Sequence, residues 1–120
     1  MKTQLLGRSP LVSTRLSYGC WRLTSTMNPS EVTPERVAEG KRALLAAYDA
    51  GYTLFDHADI YCRGVCESVF GDVMREVSGW RERCLVATKC GIILPDPGVQ
   101  HCYDFSASHI VWSCEQSLKR

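Results

Sequence analysis

"LFDHADIYCRG", residues 54–64, ends an apolar run in a carboxylate, Asp56, and sets a phenol, Tyr61, five residues further on. The run that leads into it, "YTLFD" (Tyr52 to Asp56), has the length and β-prone composition of a strand. Ordinary roles exist for both polar residues. Asp56 can cap the next turn, and Tyr61 can pack its ring and leave its hydroxyl in water. The segments on either side decide what kind of strand this is.

Upstream, "TPERVAEGKRALLAAYDAG" reads as a helix with both ends marked. Thr33 is placed to cap it, and Pro34 suits a first turn whose amide proton would be unpaired anyway. Gly51 can take the left-handed closing position. Before it, "LSYGCW" (Leu16 to Trp21) is a short strand candidate followed by a polar loop. Downstream, "ESVFGDVMREV" recurs in apolar residues at helical spacing through Val69, Phe70, Val73, Met74 and Val77. "SGWRER" then links it to "CLVATKCGI", again short and apolar. "LPDPGVQ" reads as a loop, and "SASHIVWSCEQSLKR" as a helix with an apolar face of Ile110, Val111, Cys114 and Leu118.

Strand and helix therefore alternate three times, which predicts parallel strands joined by crossovers in an α/β fold. The 120 residues, 45% hydrophobic and 22% charged, suit one globular domain spanning 1–120. A net charge of +1 offers no basic stripe to nucleic acid or anionic lipid. No signal-peptide core and no apolar run of about 18 residues is present, so a cytoplasmic location is the default expectation. Seven cysteines, an odd number in a chain unmarked for secretion, predict mostly small buried hydrophobes rather than disulfides. "CRGVC" (Cys62 to Cys66) with His57 nearby can be drawn as a zinc module, but the second ligand pair that zinc spacing requires is not tidy.

In α/β folds ligands bind at the carboxyl ends of parallel strands, where Asp56 closes the second strand and Lys89 the third. Alternation puts Leu54 with Asp56 on one face, and Ala87 with Lys89 on one face of the next strand. If those faces look the same way, an anion and a cation meet beside Tyr61. A phenol is a poor proton donor at neutral pH, and a neighbouring ammonium favours its phenolate. Lys89 can tune Tyr61 in this way, and Asp56 can hold Lys89 charged. Such a trio suits a general acid aimed at a carbonyl oxygen.

At these residues the sequence resembles the aldo-keto reductases. "FDHADIY", "CESVFGDVMRE" and "LVATKCG" are similar to the family's pattern of Asp and Tyr five apart after the second barrel strand and Lys ending the third. Glu67 and Gly71 also stand where the family has Glu and Gly. The resemblance implies the first three βα units of a (β/α)8 TIM barrel, preceded by a short N-terminal hairpin that plugs the barrel bottom. It implies catalytic roles for Asp56, Tyr61 and Lys89, and a nicotinamide site at Gly19, Cys20, Trp21 and Asp56. It also implies NADP(H) as cofactor and a small-molecule carbonyl or alcohol as substrate, with no metal.

Two departures stand out. Cys62 follows Tyr61 where many relatives have Gly, and the resemblance stops inside the third helix, before the family's catalytic His and phosphate-binding loops. Neither His101 nor His109 matches that His. The barrel is therefore expected to be incomplete, with open sheet edges and uncovered helix faces, and the 120-residue chain to be inactive alone. The alternatives are a non-catalytic barrel fragment or regulatory relative, and, as an outsider, the Cys/His metal module.

Overall fold

A computed structural model describes all residues, 1–120. It opens with a hairpin, β1 (Thr3–Leu5) antiparallel to β2 (Val12–Thr14). The hairpin is tied to the residue just before the central strand: the Thr14 amide donates to Thr53 Oγ1 at 3.0 Å, and the Thr53 amide to Thr14 Oγ1 at 3.2 Å. This lies at the amino end of the sheet, away from Asp56.

The sheet is parallel and three-stranded, in the order β3 (Tyr18–Gly19), β4 (Leu54–Asp56), β5 (Leu85–Ala87). Helix α1 (Pro34–Asp49) follows β3 and α2 (Val65–Glu76) follows β4. A single turn, α3 (Trp80–Arg83), lies inside the stretch read as a connection. After β5 comes a hairpin of β6 (Ile92–Ile93) and β7 (Cys102–Tyr103), then α4 (Ala107–Lys119). Parallel strands with intervening helices fit part of a (β/α)8 barrel.

The helix caps behave as their residue types predict. Thr33 Oγ1 accepts from the Arg36 amide at 3.4 Å with Pro34 in the first turn, and Gly51 closes α1 at φ +90°. Helix α2 buries Val69, Phe70 and Val73 as its spacing requires. These meet the outward side of β4, where Phe55 packs on Phe70 and Trp80 with ring centroids 5.2 and 5.6 Å apart. Leu44 and Ala47 of α1 complete this core. Cys20, Cys62, Cys66 and Cys84 are buried in it as small hydrophobes, whereas Cys102 and Cys114 are exposed.

Several expectations need correction. The first strand is two residues long rather than spanning Leu16 to Trp21, and α2 begins at Val65, two residues before Glu67. "CLVATKCGI" is not one strand: β5 ends at Ala87, Gly91 turns the chain at φ +107°, and Ile92–Ile93 belong to the second hairpin. "LPDPGVQ" lies in the loop of that hairpin. Helix α4 presents the opposite face from the one its apolar spacing suggests. Ser113 is buried while Ile110, Val111, Cys114 and Leu118 are exposed. The polar stripe faces inward because a buried carboxylate, Glu67, waits there for hydroxyl and guanidinium donors from Ser117 and Arg120.

Candidate active site

In-register pairing sets Asp56 beside Gly19 on one side and beside Ala87 on the other. Partners across a ladder share a face, so Leu54 and Asp56 of β4 look the same way as Leu85 and Ala87 of β5. Phe55, one residue on, looks into the helix layer. Lys89 continues the alternation past the end of β5, guided by backbone bonds from His57 N to the Ala87 carbonyl (2.7 Å) and from Asp59 N to the Lys89 carbonyl (3.0 Å). Its side chain therefore returns to the Asp56 face.

There Lys89 Nζ donates to both Asp56 oxygens, each at 2.9 Å, and also to the His57 carbonyl. Partial burial works against the ammonium. The hydrogen bonds and charges of Asp56 and Tyr61 outweigh it and hold Lys89 above the ordinary lysine range. Nζ also sits 5.2 Å from the centre of the Tyr61 ring. The three residues singled out in the sequence thus come together at the carboxyl end of the sheet.

Tyr61 opens an unusual turn. Cys62 (φ +47°), Arg63 (φ +51°) and Gly64 (φ +90°) are successively left-handed, a conformation that only glycine takes without strain. Cys62 therefore takes a backbone conformation that glycine favours. Its thiol is fully buried, and burial in the core offsets part of the strain. Arg63 fastens the turn from outside, with bonds to Asp96 Oδ2 (3.0 Å) and the Pro95 carbonyl (2.8 Å) in the second hairpin.

Gly19, Cys20 and Trp21 leave the end of β3 beside Asp56. No atom lies within 4 Å of where a Cβ on Gly19 would stand, and Trp21 is half exposed, with its ring 6.4 Å from that of Tyr61. Bare backbone, an aromatic ring and the Asp56 carboxylate make an open ledge at the end of β3. The Cys20 side chain turns away from that ledge into the core, where burial pushes its thiol well up.

Two buried groups behind the site, Glu67 and His57, had no part in the acid-base trio read from the sequence. Glu67 accepts from Thr88 Oγ1 (2.6 Å), Ser117 Oγ (3.0 Å) and Arg120 Nε (2.8 Å). Its position in the resemblance was its only signal. His57 is 1% exposed, packs edge-on against Phe70 at 4.7 Å, and has no partner at either ring nitrogen. Burial lowers its pKa to about 4, so it is neutral. The zinc module fails on geometry: no three His, Cys, Asp or Glu side chains gather where they could hold a metal ion. Cys66 Sγ instead contacts the Trp21 carbonyl at 3.8 Å.

Comparison with known proteins gives a consistent answer. A profile described as "Aldo/keto reductase family" matches residues 15–120. An uncharacterized oxidoreductase of Bacillus subtilis, YcsN, is 41% identical over 108 residues, covering 87% of this chain and 34% of its own. A 6-dehydroglucose reductase of Agrobacterium fabrum is 34% identical over 110 residues, covering 88% and 35%. Among solved structures, the holo form of aldo-keto reductase AKR11C1 from Bacillus halodurans superposes with a TM-score of 0.79 at 26% identity, covering 99% of this chain and 36% of that one. The chain spans about a third of the length of the curated relatives it matches. None of its helices is long and apolar enough to cross a membrane.

Proposed function

Because the chain belongs to the aldo/keto reductase family, we propose that it carries the acid-base part of an oxidoreductase that reduces aldehydes or ketones with NADPH. The observation behind this is the two-point bond of Lys89 to Asp56 beside the Tyr61 ring, at the carboxyl end of parallel strands. Residues 1–120 form the leading part of the barrel.

Tyr61 is the general acid, and its hydroxyl gives a proton to the carbonyl oxygen as the carbonyl carbon is reduced. The charge left on the phenol meets the Lys89 ammonium. Asp56 keeps that ammonium protonated and aimed, since a partly desolvated lysine otherwise drifts toward its neutral form. Gly19, Trp21 and Asp56 provide the ledge for the nicotinamide, and Cys20 contributes only backbone. NADP(H), when bound, supplies the hydride. The relative named 6-dehydroglucose reductase supports a small-molecule carbonyl or alcohol as substrate.

The test is NADPH consumption with a panel of aldehydes and ketones by a chain that carries these residues together with the remaining barrel strands. Tyr61→Phe should lower kcat by about 10²- to 10⁴-fold, the usual share of general acid catalysis. Undiminished turnover by Tyr61→Phe would remove the phenol from the mechanism.

A further inference from the structure

Thr88 and Lys89 are successive residues with opposite tasks. Lys89 turns to the open face of the sheet and binds Asp56. Thr88 turns to the helix face, where its hydroxyl donates to Glu67 Oε1 at 2.6 Å. Both lie beyond β5, where no neighbouring strand fixes the backbone on the outer side. What holds the facing of Lys89 must therefore come from side chains or from the few bonds to the loop after β4.

Glu67 is suited to that task. It is 8% exposed, it stands in the first turn of α2, and α2 is anchored in the core through Val69, Phe70 and Val73. Its second oxygen is taken by Ser117 (3.1 Å) and by Arg120 (2.8 Å) from the end of α4. With those partners in place the carboxylate is fixed, and a rotation at residue 88 would strip Oε1 of its shorter bond, the 2.6 Å one, and leave it only Ser117 Oγ at 3.0 Å, a net loss inside the protein.

We propose that Glu67 is a positioning residue: through Thr88 it locks the backbone facing that delivers Lys89 to Asp56 and Tyr61. Its catalytic meaning rests on the function proposed above, but the geometry can be tested without turnover. The chain has four lysines, Lys2, Lys41, Lys89 and Lys119, so limited acetylation followed by mass spectrometry reads Lys89 against Lys2 in one sample. Thr88 is exposed overall, so Thr88→Val removes the hydroxyl without opening the core.

The relative acetylation rate of Lys89 should rise roughly fivefold in Thr88→Val, the factor that one ordinary net hydrogen bond carries. Thr88→Ser should restore the wild-type ratio, which a general loss of packing would not allow. Glu67→Gln should raise the ratio in the same direction. If that variant fails to fold, as far-UV circular dichroism would reveal, the Thr88 pair decides alone. Asp56→Asn serves as the reference that frees Lys89 directly. An unchanged ratio in Thr88→Val beside a raised one in Asp56→Asn overturns positioning by Glu67 and leaves the Asp56–Lys89 pair standing. Unchanged ratios in both overturn the pair and the inference with it.

Discussion

Lys89 Nζ holds both oxygens of Asp56 at 2.9 Å, across thirty-three residues of sequence and two neighbouring parallel strands. Both side chains remain about half exposed, at 51% and 40%. Water therefore screens the pair, and it adds little to the stability of the fold. Asp56→Asn and Lys89→Met are each expected to change unfolding free energy by less than about 1 kcal/mol in urea titrations. A much larger loss would mean that the pair holds the sheet together rather than serving the site.

His57 makes stability depend on pH. Burial lowers its pKa from 6.5 to about 4, so between those values the unfolded chain binds more protons than the folded one. Its neutral form supports the fold fully above pH 6.5, and that support drains away as pH falls toward 4. The loss amounts to about 3 kcal/mol at 1.36 kcal/mol per pKa unit. Unfolding curves measured across this range should show the decline, and His57→Gln should flatten it. An equal decline in the variant would assign it to other groups.

Gly40 lies in the middle of α1, where alanine is ordinarily the better helix former by about 1 kcal/mol. Here a Cβ would stand 2.3 Å from the Leu23 carbonyl oxygen and 3.1 Å from its carbon, both backbone atoms that cannot swing aside. Gly40→Ala should therefore destabilise the protein by roughly 1–3 kcal/mol, the range for overpacking. A rise in melting temperature would show that the Leu23 loop gives way freely.

The cysteines should divide by burial. Cys102 and Cys114 are exposed and should react first with a thiol reagent in the native state. Cys20, Cys62, Cys66 and Cys84 are buried, and burial also pushes the Cys84 thiol up to about 11, which leaves little thiolate at neutral pH. Peptide mapping after brief alkylation should find label on the exposed pair and almost none on the buried four until denaturant is added. Early label on Cys62 would show that the left-handed turn after Tyr61 opens readily.

The 120 residues by themselves should reduce no carbonyl with NADPH at a measurable rate. Orienting the reactants can lower a barrier by roughly 7 to 11 kcal/mol, and Lys89 and Asp56 stand 51% and 40% exposed to water, which orients nothing against Tyr61. Following NADPH absorbance with a reactive aldehyde checks this. Turnover by the short chain that Tyr61→Phe abolishes would show that the ledge and the trio suffice.

Much of this was legible in the residues because it depends on near neighbours. Thr33, Pro34 and Gly51 mark the ends of α1 through bonds within a few positions. The facing of Asp56 and of Lys89 follows from the two-residue period of a strand, and their meeting follows once parallel pairing is granted. Val69, Phe70 and Val73 bury themselves at helical spacing for the same local reason.

What the tertiary structure alone decided depends on partners far along the chain. Spacing set Ile110, Val111, Cys114 and Leu118 on one face of α4, yet that face is open, because the buried Glu67 carboxylate, fifty positions before Ser117, draws the polar side inward. The left-handed backbone at Cys62 is held by a buried thiol and by Arg63 reaching Asp96, thirty-three positions on, and no pattern of residue types within the turn announces it. The His57 carbonyl that receives Lys89 is backbone, which every residue carries alike. Local rules reach as far as one turn or one strand. Beyond that, a side chain's facing is settled by whichever distant group would otherwise be left buried and unpaired, and only the folded chain shows which group that is.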